Sequence, residues 1–171
     1  GHTRVECITY INLTQLYLVM ANCDRTLENA LRGLQLSQTY GYELFEIYAL
    51  HNIGHCHLQR KHTAHALDYL NRALERARAL AAKVIEVSIL LTLGAAYREL
   101  QQFAQAQSIG HQALTITQAI GSRQEQYSAH LFLSELYEQV GDFAQALAHF
   151  KQHQAVKELV FNEKADQRLK V

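Results

Sequence analysis

"LGAAYRELQQFAQAQSIGHQAL", residues 93–114, decides how this sequence is read, because the same pattern recurs along the chain. It lies without a gap on "IGHCHLQRKHTAHALDYLNRAL" at 53–74, since Gly94 minus Gly54, Ala106 minus Ala66 and Ala113 minus Ala73 each equal 40. The same step forward reaches "LSELYEQVGDFAQALAHFKQHQ" at 133–154, pairing Tyr97 with Tyr137 and Ala106 with Ala146. Backward it reaches "LTQLYLVMANCDRTLENALRGL" at 13–34, with Leu13 and Tyr17 in register. Four units follow, beginning near 7, 47, 87 and 127. A fixed interval of this size marks one supersecondary module repeated in series.

Each module reads as a helical hairpin. The chain has no proline and only 8 glycines, and Ala, Leu, Gln, Glu and Arg are plentiful, all of which favours helix. Leu90, Leu93, Tyr97 and Leu100 recur at three and four, as do Leu67, Leu70 and Leu74, which is the stripe of an amphipathic helix. The fold is expected to be all-α. Small residues such as Gly94 predict close helix contact, and the aromatic three later, Tyr97, is expected to wedge neighbouring hairpins apart; Tyr97→Ala would then cost about 3 kcal/mol. Thr3-x-x-Glu6 and Ser122-x-x-Glu125 read as capping boxes, Gly41 and Gly121 as left-handed stops after second helices, and Asp24 and Asp142 as caps of second helices.

With "LGAAY" at 93–97 and "LSELYEQVGDFAQALAHF" at 133–150 in view, the sequence resembles a tetratricopeptide-repeat array from residue 7 to about 160. In that family an L-G-x-x-Y element precedes spaced alanines. The period of 40 exceeds the family's usual length of about 34, which points to longer helices. The family's late proline is absent, His57 stands where the tyrosine belongs, and Thr26 replaces the first alanine of the first unit. The resemblance implies a right-handed superhelical solenoid of antiparallel hairpins, about four repeats plus a C-terminal helical extension, with a concave recognition face.

The resemblance also implies that first helices line the concave face. Carried over position by position, the lining is Ile8, Ile11, Gln15 and Leu18; Tyr48, His51, His55 and Leu58; Ser88, Leu91, Ala95 and Arg98; Ser128, Leu131, Glu135 and Glu138. Asn52 is a candidate donor to a peptide backbone, and Arg98 with Glu135 and Glu138 would add polar selectivity. Such a groove suits an amphipathic helix or another hairpin as protein or peptide partner. His51 and His55, four apart on one face, have a spacing that suits a single zinc, with His62 or His65 approaching from the second helix. Periodicity accounts for the neighbours without metal, His57 in the aromatic slot, Cys56 as a small packed thiol and His62 in the turn. A satisfied groove residue is the preferred reading of His51 and His55, with a pH-sensitive contact or a metal sensor as alternatives. No resident cofactor is expected.

Other classes are narrowed by composition. Lys plus Arg equals Asp plus Glu at 16 each, so no sequence-wide field attracts nucleic acid or an anionic membrane. Three widely spaced cysteines, Cys7, Cys23 and Cys56, predict free thiols in a reducing cytoplasm. Neither a phosphate-binding glycine loop nor a nucleophile elbow is present, so this chain is not read as an enzyme. At the C-terminus, apolar Val156, Leu159, Phe161, Ala165, Leu169 and Val171 end without a polar cap, which predicts a helical linker over 160–171 leading to an output module. "VFNEKADQRL" at 160–169 is similar to the junction before a GGDEF-type diguanylate cyclase in bacterial signalling proteins. The expected function is a regulatory or sensory interaction domain. A transcription-regulator sensor or chaperone-like adaptor is the alternative, and two copies pairing through the C-terminal helix is a further expectation.

Overall fold

The computed structural model describes residues 2–169, with side chains described through residue 162. It contains eight helices: α1 (His2–Val19), α2 (Cys23–Tyr40), α3 (Glu43–Gln59), α4 (Thr63–Ala79), α5 (Lys83–Glu99), α6 (Phe103–Ile120), α7 (Arg123–Gln139) and α8 (Phe143–Leu169). First helices begin at 43, 83 and 123, one turn upstream of the positions read from the sequence, and α1 begins at 2. No helix among the described residues is long and apolar enough to cross a membrane. Of the linker expected over 160–171, the backbone is described to Leu169; Val171 and the side chains of Ala165 and Leu169 lie outside the described residues.

A twenty-residue rhythm sets the architecture. Ala21, Gly41, Lys61, Ala81, Gln101, Gly121 and Gly141 all have positive φ, between 51° and 84°, and each reverses the chain in a single left-handed residue. The amide just past each one reaches back five residues, as from Asn22 to the Tyr17 carbonyl and from Asp142 to the Tyr137 carbonyl, which satisfies a helix-end carbonyl. Gly41 and Gly121 are therefore the stops their sequence positions suggested. Ala81 holds the same conformation with a Cβ, at a cost of about 1 kcal/mol. Ala81→Gly is expected to stabilise the protein by about that amount, read as an increase in the urea midpoint.

The caps differ in part from expectation. Asp142 accepts from the Gln145 amide at 3.1 Å, but α2 is capped by Asn22, which accepts from the Arg25 amide at 3.2 Å. Asp24 sits inside the first turn and pairs with Arg60 instead. Thr3 lies within α1, and Ser122 bonds the Glu125 carboxylate rather than a backbone amide, so neither forms the reciprocal box.

Packing follows from the small columns. Ala66, Ala73, Ala106 and Ala113 are fully buried. Thr26 fits the same column because its hydroxyl donates to the Asn22 carbonyl at 2.8 Å. The aromatic slot works within a hairpin as well as between hairpins: His57 stacks on Tyr69 at 5.6 Å and Tyr137 on His149 at 5.5 Å, each joining a first helix to its own second helix, while Tyr137 also meets His111 of the preceding hairpin with ring centres 6.1 Å apart. Tyr97 packs half-buried on the rim of the last core cluster. The ring that plugs one hairpin into the next is Phe132, seated between Gly94 and Gly110.

Curvature has a direct origin. α1 touches α3, α3 touches α5 and α5 touches α7, whereas among the described residues no second helix touches another second helix. First helices are thus drawn together on the inner side and second helices splay on the outer side, which bends the stack into a TPR-like solenoid.

Candidate functional site

Of the side chains expected on the concave face, Tyr48, His51, His55, Leu91, Ala95, Arg98 and Leu131 are half-buried on α3, α5 and α7. A half-buried apolar side chain on such a face is held in place by the core yet retains surface for a partner. Ile11 is half-buried on α1, and Gln15, Glu135 and Glu138 are exposed. Asn52 is not on this surface. It is only 4% exposed, in the column that places Phe132 between hairpins, and its Nδ2 has no hydrogen-bond partner.

The polar groups are tied across repeats. Arg98 pairs with Glu135 at 3.1 Å, from α5 to α7, while its guanidinium lies 5.8 Å from the Phe132 ring centre. Lys61 pairs with Glu99 at 2.6 Å and Arg60 with Asp24, so an ion pair crosses each of the three junctions between hairpins. Deeper, two buried carboxylates sit near the starts of α3 and α5. Glu46 accepts from Gln38 Nε2 at 3.0 Å and faces Arg76 at 3.5 Å. Glu86 holds Arg78 at 3.0 Å and Lys83 at 2.8 Å. Burial pushes the Glu86 carboxyl up, and its bonds to Lys83 and Arg78 more than reverse this, leaving it below its ordinary value.

The histidines of the opening cluster separate into two groups. His51 and His55 stack on α3 with ring centres 6.4 Å apart. Thr92 Oγ1 donates to the Ser88 carbonyl, so the 2.9 Å contact between His51 Nε2 and that hydroxyl requires Nε2 to carry the proton. Burial, with His55 adding to it, lowers the His51 pKa to about 4, and burial lowers His55 as well. His51 is therefore neutral at pH 7 and at pH 6, and the shift at His55 favours its neutral form too. His62 and His65 pack against His57 at the turn end instead, with ring centres 6.0 and 5.4 Å away. Among the described residues no group of three His, Cys, Asp or Glu side chains is placed to share a metal ion.

A second histidine network lies in the last hairpin, and the reading of the sequence passed over it. His130 and His149 face each other Nδ1 to Nδ1 at 3.0 Å, and His149 packs against His111 at 5.7 Å. His111 also meets the Tyr137 hydroxyl at 2.9 Å. His153 bonds the Tyr127 carbonyl at 3.0 Å and stacks on the Tyr127 ring at 4.1 Å. His130 and His153 are 5% and 4% exposed. The forty-residue register held the signal: His130 occupies the column of Leu50 and Leu90, and His153 that of Ala73 and Ala113, all of them core positions.

Tetratricopeptide-repeat family models match residues 47–80 and 86–158. No curated protein matches the sequence. Among solved structures, the apo form of RapI is similar with a TM-score of 0.79 and 14% identity, over 95% of this chain and 60% of that one. A Rap protein complexed with competence and sporulation factor has a TM-score of 0.85 and 16% identity, over 91% of this chain and 43% of that one. A signal-transduction ATPase of the STAND class with a tetratricopeptide repeat sensor, from Pyrococcus horikoshii, has a TM-score of 0.72 and 16% identity, over 98% of this chain and 26% of that one. The chain thus spans less than two thirds of each of these proteins, and at such identities the likeness is one of fold.

Proposed function

We propose that these tetratricopeptide repeats form a non-enzymatic binding domain whose concave face takes a protein or peptide segment. One observation carries the reading: first helices contact one another in succession, and Tyr48, Leu91, Ala95 and Leu131, which we assign to the inner face so formed, are half-buried. A partly apolar, curved surface without a net field favours the apolar side of an amphipathic helix, with Arg98 and Glu135 offering charged edges. The Rap neighbour crystallised with competence and sporulation factor supports a bound partner on an array of this kind. We further infer that the domain is the regulatory or sensory part of a larger cytoplasmic signalling protein. The similarity of residues 160–169 to the segment preceding GGDEF diguanylate cyclases supports that step, as does the 27-residue length of α8 against 17 or 18 for the other helices. Occupancy of the groove would alter the superhelical curvature and so the direction of α8.

The test is selection from a peptide-display library against the chain, followed by affinity measurement on the enriched peptides. Leu91→Glu is expected to weaken the enriched peptides at least about ten-fold, because it sets a carboxylate in the apolar centre of the face, while the helical circular-dichroism signal stays intact. Unchanged affinity in Leu91→Glu would place the binding surface elsewhere.

A further inference from the structure

We propose that Cys23 and Cys56 form a thiol modification site at the junction of the first two hairpins. Cys23 accepts a small disulfide of the glutathione class from solvent, and Cys56 converts the adduct into an internal disulfide that staples α2 to α3.

The two cysteines are 33 positions apart in sequence and face each other in space. Cys56 Sγ lies 3.3 Å from the Cys23 carbonyl oxygen, and Cys23 Sγ lies 3.9 Å from the Cys56 carbonyl oxygen. The contacts are reciprocal, so each side chain is directed at the other residue. Neither position is a cysteine in any other repeat: the column of Cys23 holds Thr63, Phe103 and Phe143, and that of Cys56 holds Leu16, Ala96 and Leu136. The pair is therefore particular to this junction. The third cysteine, Cys7, is buried in α1.

Exposure divides the roles. Cys23 is half-buried, the first residue of α2, and its Sγ reaches the Gln59 side-chain oxygen at 3.1 Å. Its sulfur is the reachable one of the pair, and so the one that meets an incoming disulfide. Cys56 is 0% exposed, and burial, then its bond to Cys23, pushes its thiol up to about 12. It is shielded from solvent oxidants and meets only a disulfide already carried by Cys23. Forming that adduct also removes the Cys23 thiol's share of the shift.

The steps balance. The Cys23 thiolate attacks one sulfur of glutathione disulfide, forming a mixed disulfide and releasing one glutathione thiolate. Cys56 then gives up its proton and attacks the Cys23 sulfur, and the second glutathione thiolate leaves. Two protein thiols are oxidised by two electrons while one glutathione disulfide becomes two glutathiones, and the protein's protons pass to the released thiolates and solvent. The bond ties the first hairpin to the second beside His55, fixing the angle between them.

The experiment treats the whole chain with glutathione disulfide, followed by intact-mass measurement, thiol titration under denaturing conditions and peptide mapping. The titratable thiols are expected to fall from three to one, with the mass lower by two hydrogens and the Cys23 and Cys56 peptides joined. Two variants borrow residues from the chain's own columns. Cys56→Ala, the residue at Ala96, is expected to stop at a single glutathione adduct on Cys23, and Cys23→Thr, the residue at Thr63, is expected to remain unmodified at Cys56. A wild-type chain that keeps the adduct without closing the bridge, that bridges through Cys7, or that stays fully reduced would overturn the proposal. So would modification of Cys56 in Cys23→Thr.

Discussion

Phe132→Ala is expected to lower stability by about 4 kcal/mol, a large part of the stability of an ordinary domain. The residue is 8% exposed, and its ring fills the space where two glycines meet: a Cβ on Gly94 would stand 2.5 Å from its Cζ, and one on Gly110 would stand 2.9 Å from its Cε1. Truncation would leave a cavity walled by backbone on two helices, which cannot collapse without pulling the third and fourth hairpins out of register. Urea unfolding followed by circular dichroism measures the loss.

The preceding repeat fills its notch differently, and this yields a stricter test. At Gly54, the counterpart of Gly94, the space belongs to Leu70 of the same hairpin, whose Cγ lies 2.7 Å from where a Cβ would be. Leu70 is the counterpart of Gly110, and Thr92 that of Phe132, so one large and one small residue are exchanged between the two junctions. Gly110→Leu alone is expected to overpack the site by about 3 kcal/mol. The pair Gly110→Leu with Phe132→Thr is expected to recover at least about 2 kcal/mol of the summed single losses, a coupling proper to residues that share one space. Strictly additive losses would show that the two positions do not compete for it.

Acid is expected to act nearly as strongly. Burial, reinforced by His149 and His153, lowers the His130 pKa to about 4, and burial with His55 does the same to His51. In the unfolded chain these imidazoles titrate near pH 6.5, so between that pH and 4 the unfolded state binds more protons than the folded one. Stability is therefore intact above pH 6.5 and is lost as the pH falls through the window. From pH 7 to pH 5 each of the two contributes a loss of about 2 kcal/mol, and lowered His55, His57 and His149 act in the same direction. His130→Leu, which restores the leucine of Leu50 and Leu90, is expected to remove about half of the loss due to the pair; thermal melts at pH 7 and pH 5 measure it. An equal slope in variant and parent would show that His130 is charged in the folded state.

The repeat, its period and its hairpins were legible from Gly54, Gly94 and the alanine columns, because a solenoid needs the same small side chain wherever two helices come closest. Caps were legible where the cue is local, as at Gly41, Gly121 and Asp142. They failed at Asp24 and Thr3, where a neighbouring Asn22 or an earlier helix start took the role. The inner-face columns were read from the family pattern, and Asn52 was misplaced because a polar side chain in a core column looks the same in sequence as one in a groove.

Sequence by itself determined the all-α class, the forty-residue module and the serial stacking, since these depend on contacts between residues three, four and a fixed interval apart. Tertiary structure alone decided which ring fills which notch, that His51 donates to Thr92, that His130 meets His149, and that Cys23 meets Cys56. Those contacts join residues 19 to 41 positions apart, and their geometry follows from the angle between packed helices, which no local pattern of residue types encodes.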